Sequence, residues 1–189
     1  MLKLLWQILL VVVVAAPPIL VAEAGAQARQ SDRPANAVRY TFADGRISFV
    51  GPPGFTVLTA AELSAKYPNA GAPRNALGNT RRTTSIAYDL LDQRSPSTDL
   101  DALRRALMGS FAQLPDLKWV ASDVRRVGSR DWAYIEFTAA AADQPLHNIV
   151  LTSVYDGRVL MFNFNSTVAE FPRVEQALRA SMATISSKP

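Results

Sequence analysis

The single histidine, His147, is the side chain of this 189-residue chain best suited to acid–base chemistry near neutral pH. If the loop 140–145 joins two paired strands symmetrically, His147 faces Thr138 and lies diagonal to Glu136. A histidine beside a carboxylate and a hydroxyl could support hydrolysis. However, the chain has no Gly-x-Ser-x-Gly elbow, and a strand threonine has no evident oxyanion hole. We expect a structural histidine, and a small hydrolase that uses His147 is the alternative.

Three asparagines form a second candidate site. If Asp156-Gly157 is a two-residue turn, Asn148 pairs with Asn165, and Asn163 lies on the same face of the sheet. Adjacent amides on a mostly apolar sheet can line a pocket for a small or lipidic ligand. More often they lock loops and helix ends, because a buried amide must find partners. We expect the structural role and keep a ligand carrier as an alternative function.

The basic residues form a third candidate site. The chain carries 20 Lys and Arg against 16 Asp and Glu, a formal charge of +4. Most are arginine, whose planar guanidinium suits bidentate contacts with carboxylates or phosphates. A long loop is predicted between residues 68 and 82, and long loops on a rigid scaffold often carry binding. We expect it to contact a partner through Arg74, Arg81 and Arg82.

A second basic group, Arg125-Arg126 with Arg130, follows further along the chain. These charges favour another protein as the partner, in particular an acidic one, and an anionic membrane surface is the alternative. A merely solvated surface explains them as well. Nucleic acid is not expected, because the chain has no known binding motif and its aromatic residues do not interleave with the basic ones.

The composition argues against several kinds of site. Without cysteine there is no disulfide scaffold, thiolate zinc site or cysteine nucleophile, and one histidine cannot supply two imidazole ligands. The sequence also lacks a phosphate-cradling glycine loop and a calcium-loop spacing. We therefore expect neither a cofactor nor a metal.

The N-terminus reads as an export signal over residues 1–26. Lys3 precedes an apolar stretch, and small residues at 24–26 suit cleavage before Gln27. The alternative is an uncleaved anchor over residues 4–22, which is about long enough to span a bilayer. We expect export to the periplasm or, in the alternative, anchoring to the inner membrane.

The rest of the chain reads as a short tether followed by one domain. Residues 27–37 are polar and lack periodicity, whereas 38–186 alternate between strand and helix patterns. The length suits one sizeable core.

The predicted order is ββ-α-β-α-ββββ-α, an α+β fold. Tight turns at Asp44-Gly45, Gly128-Ser129 and Asp156-Gly157 make the consecutive strands antiparallel. Several strands are apolar on both faces, so helices should cover both sides of the sheet in an α/β/α sandwich. The predicted strands are Val38–Phe42, Ile47–Val50, Thr83–Leu90, Trp119–Val127, Asp131–Ala139, Leu146–Tyr155 and Arg158–Asn165.

Three helices are predicted. The first starts at a capping box formed by Thr59 and Glu62 and ends before Pro68. The second is capped by Ser97 or Thr98 and runs to about Leu114. The third begins near Pro172, and its apolar stripe extends to Ile185. All three are amphipathic or short, as expected of helices that cover a sheet.

The arrangement resembles the PsbP/DcrB-like superfamily, which includes the Mog-type proteins, over about Val38–Ile185. The resemblance lies in four segments: Phe49–Phe55, Asp131–Phe137, Tyr155–Arg158 and Phe162–Phe164. It implies an α/β/α sandwich that works as a binding or accessory module, without a shared catalytic motif. Members bind unrelated partners, so the resemblance does not choose one here.

The combined interpretation is an exported, non-enzymatic binding or accessory protein of the cell envelope, with another protein as its partner. An immunity-like or chaperone-like role is one form of this function that the sequence leaves open. The oligomeric state is not predicted.

Cleavage of the leader predicts a mature protein that begins at Gln27. N-terminal sequencing of the protein recovered from an envelope fraction measures this directly. A chain that still begins at Met1 would instead support the uncleaved anchor.

Overall fold

The computed structural model describes residues 37–188 apart from 68–71, 96 and 142–143. The predicted leader 1–26, and all of the tether except Ala37, lie outside the described residues. Within the described ranges, no helix combines the length and the apolar character needed to cross a bilayer.

Ten strands and three helices make up the described part of the chain. In chain order they are β1 (Arg39–Phe42), β2 (Ile47–Val50), β3 (Thr56–Val57), α1 (Ala60–Lys66), β4 (Asn75–Gly78), β5 (Thr84–Arg94), α2 (Leu100–Phe111), β6 (Lys118–Val127), β7 (Arg130–Ala139), β8 (Leu146–Tyr155), β9 (Arg158–Thr167), α3 (Phe171–Ala183) and β10 (Ser186–Ser187).

A seven-stranded antiparallel sheet forms the middle of the fold, with the order β3-β4-β5-β9-β8-β7-β6. The two tight turns predicted within it are present. Val127 pairs with Arg130 across Gly128-Ser129, and Tyr155 pairs with Arg158 across Asp156-Gly157. Both Asp156 and Gly157 have positive φ, the conformation that a two-residue hairpin turn with the right twist requires. The predicted antiparallel sheet is confirmed.

One face of this sheet is covered by α3 and by a second, three-stranded sheet of order β1-β2-β10. Aromatic side chains fill the space between them. Phe162 lies at the centre, in contact with Phe42, Phe49 and Trp132 at ring-centroid distances of 5.8, 5.4 and 5.8 Å. Edge-to-face contacts of this kind add to the free energy of burying the rings.

The opposite face is covered by α2 and α1. Leu103, Leu107 and Phe111 of α2 pack against β7 and β8, and Leu58 and Tyr67, which flank α1, pack over β4 and β5. The sheet is therefore covered on both sides, and the predicted three-layer sandwich is confirmed.

The helix starts are partly as predicted. Thr59 and Glu62 form the expected capping box, in which each side chain bonds to the other's backbone N–H. Helix α2, however, is capped by Asp99, whose carboxylate accepts hydrogen bonds from the N–H groups of Asp101 and Ala102. Ser97 and Thr98 are not the cap, because the Ser97 hydroxyl instead accepts the N–H of Asp99.

Three short strands were not predicted. Strand β4 lies inside the stretch 68–82, for which the sequence predicts one long loop, and it pairs with β5, where Ala76 and Leu77 are fully buried. Strand β3 pairs with β4, and β10 pairs with β2. Ile185 is buried, although it follows the end of α3 at Ala183. Each short strand owes its form to its neighbours rather than to its own composition.

Truncation of Phe162 tests the importance of this aromatic cluster. Phe162 is fully buried, so Phe162→Ala should lower the free energy of unfolding by about 3–5 kcal/mol. Urea denaturation followed by tryptophan fluorescence measures the change. The control is Val57→Ala, at an exposed side chain, which should shift the free energy by no more than about 0.5 kcal/mol. Equal effects would contradict this account of the core.

Candidate functional site

Strands β7 and β8 place Glu136 and His147 together beneath α3. In the pairing of these strands Thr138 is opposite His147 and Glu136 is opposite Ile149, so Glu136 is diagonal to His147 as predicted. Alternation along a strand puts both side chains on the face that α3 covers. Both are buried, so any charge they carry must be compensated by neighbouring groups.

The carboxylate of Glu136 has three partners. Its Oε1 lies 2.7 Å from Nε2 of His147 and accepts a hydrogen bond of 2.9 Å from Nη2 of Arg179 on α3. The hydroxyl of Tyr134 donates to Oε2, and it accepts a hydrogen bond of 3.0 Å from Nη1 of Arg179. These contacts tie α3 to the middle of the sheet through one buried negative charge.

These contacts shift the pKa values of the site in opposite directions. Burial alone would raise the pKa of Glu136, but the hydrogen bonds from His147 and Tyr134 and the positive charge of Arg179 lower it to about 2. Burial, and then the hydrogen bond to Glu136, raise the pKa of Tyr134 to about 12. Glu136 is therefore ionised and Tyr134 protonated at neutral pH.

The ring of His147 also packs against a side chain of α3. It stacks on Phe171, the first residue of α3, with ring centroids 3.5 Å apart and the planes 7° from parallel. Among the described residues, no hydrogen bond joins His147 to a hydroxyl group. A hydrolytic site would need such a nucleophile beside the base, so this geometry favours a structural histidine.

The three asparagines lie on the opposite face of the sheet. Asn148 pairs with Asn165, as predicted, and Nδ2 of Asn165 donates to Oδ1 of Asn148 at 2.8 Å. The Oδ1 atoms of Asn163 and Asn165 are buried without a partner among the described residues. Asn163 lines a cavity of about 20 Å³ together with Tyr67 and Met161. That volume holds about one water molecule, which would satisfy a free amide oxygen.

The predicted binding residue Arg74 is engaged by acidic side chains of β5. Its Nη2 lies 2.8 Å from Asp89, its Nη1 lies 3.1 Å from Asp92, and Nη2 also donates to the carbonyl of Leu90. These contacts fasten the start of β4 to β5 beside an irregularity in the β5–β9 pairing.

The other two predicted arginines of this stretch also have acidic partners. Arg81 forms an ion pair with Glu170, which precedes α3. Arg82 contacts Glu62 of α1, with Nε and Nη2 at 2.9 and 2.6 Å from Oε1. Arg74, Arg81 and Arg82 thus pair with acidic residues of β5, of the segment before α3 and of α1, respectively. Their role in binding a partner remains a prediction.

An open groove lies at the far end of the sheet, where the β6–β7 turn, the end of β8 and strand β10 meet, and its lining includes the apolar side chains of Leu100 and Val154. Its volume is about 520 Å³. Three basic side chains and one acidic side chain line it: Arg126, Arg130, Lys188 and Asp131. Four hydroxyl groups also line it, those of Thr98, Ser129, Ser153 and Ser187. The Ser153 hydroxyl donates to the carbonyl of Asp131 at 3.0 Å.

The groove residues are held by their neighbours. Arg130 donates from Nη1 to the carbonyl of Val154 at 2.6 Å and from Nη2 to the hydroxyl of Ser187 at 3.1 Å. Arg126 pairs with Asp131 at 3.1 Å, but both side chains are exposed. Screening by water makes such a pair weak, so Arg126 is free to exchange Asp131 for another anion.

Sequence reasoning singled out part of this groove only. Arg126 and Arg130 belong to the second basic group noted in the sequence, but Ser153 and Ser187 come from distant segments and carry no local signal. The described residues contain no group of three or more acidic or histidine side chains that could hold a metal ion.

The geometry of the whole domain is similar to that of several solved structures. Cyanobacterial PsbP (CyanoP) from Synechocystis sp. PCC 6803 superposes with a TM-score of 0.55 at 10% identity, covering 85% of this chain and 98% of its own. LpqN from Mycobacterium tuberculosis, described as involved in cell envelope biogenesis, superposes with a TM-score of 0.55 at 12% identity. The match covers 84% of this chain and 88% of LpqN. The Ran-binding protein Mog1p from Saccharomyces cerevisiae superposes with a TM-score of 0.50 at 16% identity. The match covers 80% of this chain and 95% of Mog1p.

The chain has the PsbP/Mog-like fold. The resemblance predicted from the sequence is confirmed at this level, since the identities are too low to carry more than the fold. No protein-family model and no curated protein matches the sequence.

The lowered pKa of Glu136 predicts a specific loss of stability in acid. A carboxyl whose pKa falls from 4.5 to about 2 on folding stabilises the fold by about 3 kcal/mol above pH 4.5, and this contribution disappears as the pH falls toward 2. Urea denaturation of the wild type and of Glu136→Gln at several pH values between 7 and 2 measures it.

The variant Glu136→Gln should be less stable at neutral pH and should lose this part of the pH dependence. Glu175→Gln is the matched control, because Glu175 also bonds Arg179, at 2.8 Å, but is half-exposed. It should cost no more than about 0.5 kcal/mol. An unchanged pH profile in Glu136→Gln would show that the buried charge is not stabilised in this way.

Proposed function

We propose that this chain is a non-enzymatic binding protein of the cell envelope and that its partner is another protein with an acidic segment. Residues 1–26 direct export, 27–37 form the tether, and the domain from residue 38 onward carries the binding surface. The groove between the β6–β7 turn and β10 takes the acidic segment.

The composition of the groove supports this proposal. The groove has a volume of about 520 Å³ and is open to solvent, and apolar surface from Leu100 and Val154 lies beside its charged groups. Here Arg126, Arg130 and Lys188 stand among hydroxyl groups. Guanidinium and hydroxyl donors are the groups that bind carboxylates, so aspartate and glutamate side chains of a partner fit this lining.

The buried polar groups support a binding role over an enzymatic one. Glu136, His147 and Arg179 could serve acid–base chemistry, yet their polar atoms contact one another beneath α3. Exposed charges at the end of the sheet, such as Arg126 and Asp131, remain accessible to an outside molecule. Such groups recognise a partner without a chemical step.

The neighbours in fold support a non-enzymatic role in general. Mog1p is a Ran-binding protein, and LpqN is involved in cell envelope biogenesis. Both use this sandwich as a scaffold, and surfaces on a shared scaffold diverge readily. The proposal that the partner is acidic rests only on the basic side chains that line the groove.

Charge reversal in the groove tests the proposal. Arg126→Glu combined with Lys188→Glu should weaken binding of the partner at least about ten-fold, because the new carboxylates repel an acidic segment. The wild type and the double variant are each immobilised and incubated with an envelope fraction, and the bound proteins are quantified by mass spectrometry. The same comparison with a synthetic glutamate-rich peptide, by fluorescence anisotropy over a salt series, tests the chemistry directly.

The matched control is Arg39→Glu combined with Arg173→Glu, which makes the same charge change at exposed residues outside the groove. It should bind like the wild type. Equal loss in both double variants would indicate general charge attraction instead of a groove. Retention on vesicles that contain anionic lipid, without peptide binding, would replace the protein partner by a membrane surface.

A further inference from the structure

The two edges of the large sheet differ in length. Strand β3, at one edge, has two residues, whereas β6, at the other, has ten. Within the part of the chain that the structure describes, β6 pairs with β7 alone. A long edge strand presents a row of backbone N–H and C=O groups that can pair with another strand.

Strand β6 also carries exposed apolar side chains. Six large hydrophobic side chains are exposed among the described residues, and three of them, Trp119, Val120 and Val124, lie on this strand. Single exposed apolar residues are ordinary, but their concentration along one unpaired edge is typical of an interaction surface.

The irregularities of β6 limit which part of it can pair. The register of β6 against β7 shifts between Trp119 and Ala121, and the turn Gly128-Ser129 ends the strand. The regular segment is therefore Ala121–Val127, and its midpoint is Val124. If two identical segments pair antiparallel over their whole length, Val124 of one copy lies opposite Val124 of the other.

The charges on the segment select the same register. With Val124 at the two-fold axis, Asp123 of each copy lies opposite Arg125 of the other. A shift of the axis by one residue would put Asp123 opposite itself or Arg125 opposite itself, and like charges directly opposite are destabilising. Within one copy, Asp123 accepts a hydrogen bond of 2.6 Å from Nε of Arg125, so both side chains are already on one face.

We propose that two copies of this chain associate through β6, antiparallel and centred on Val124, to form one continuous sheet across both subunits. The interface is isologous, with two Asp123–Arg125 pairs on one face of the sheet and Val124 against Val124 on the other. The features of β6 that support this association do not depend on the proposed groove ligand.

An engineered cysteine at the axis tests the register, because the chain has no cysteine of its own. Residues directly opposite in an antiparallel pair have Cα atoms about 4.5–5.5 Å apart, which a disulfide can join. The full chain carrying Val124→Cys is oxidised with copper phenanthroline and run on a non-reducing gel. It should give at least about ten-fold more crosslinked dimer than the control.

The control is Val120→Cys, which is on the same strand and is also exposed. In the proposed register two copies of residue 120 are about 25 Å apart, so this variant should crosslink poorly. Equal crosslinking in both variants would overturn the register, and no crosslinking in Val124→Cys would overturn the association.

Charge reversal provides a second test. Asp123→Arg and Arg125→Asp each put like charges across the axis, so each variant alone should sediment as a monomer at concentrations where the wild type dimerises. An equimolar mixture restores both unlike pairs and should form heterodimers. Sedimentation velocity measures all three samples, and thermal unfolding confirms that each variant is folded. A monomeric wild type, or a mixture no different from its components, would refute the proposal.

Discussion

Burial of the central strands on both faces is the constraint on which the rest of this structure depends. Strands β7, β8 and β9 are enclosed by α3 and the small sheet on one side and by α1 and α2 on the other. Any polar group on these strands must find partners inside the protein. Glu136 meets this requirement with three donors, one of them from α3, and the carboxylate thereby fixes the position of the covering helix.

The same constraint separates the residues that hold the fold from those that can meet a partner. Side chains that could take part in acid–base chemistry, such as His147, form hydrogen bonds inside the sandwich. Accessible groups include the charges of the groove and the exposed side chains along β6. A scaffold of this kind therefore suits recognition at its ends and edges, while its centre supplies rigidity.

Patterns that are local in the sequence were sufficient for most of the architecture. Turns such as Asp156-Gly157 predict the strand pairing, and a symmetric connection over 140–145 predicts the diagonal placement of His147 and Glu136 that the structure shows. Contacts between segments that are distant in the sequence could not be predicted from local patterns. Strand β4 forms by pairing with β5. Arg179 bonds Glu136, which is 43 residues away. The groove is lined by hydroxyl groups from separate elements. None of these has a signature within its own segment.

Arg126 belongs to both accessible regions, and this links them physically. Its side chain lines the groove and pairs weakly with Asp131, while its backbone lies in the regular segment of β6, opposite Ser122 of a second copy in the proposed register. An anion in the groove would draw the guanidinium away from Asp131 without disturbing buried contacts, since both side chains are exposed. The same movement alters the charge presented along the paired edge. The proposed ligand of the groove and the proposed association through β6 would thus use the same strand, and each would change the electrostatic surroundings of the other.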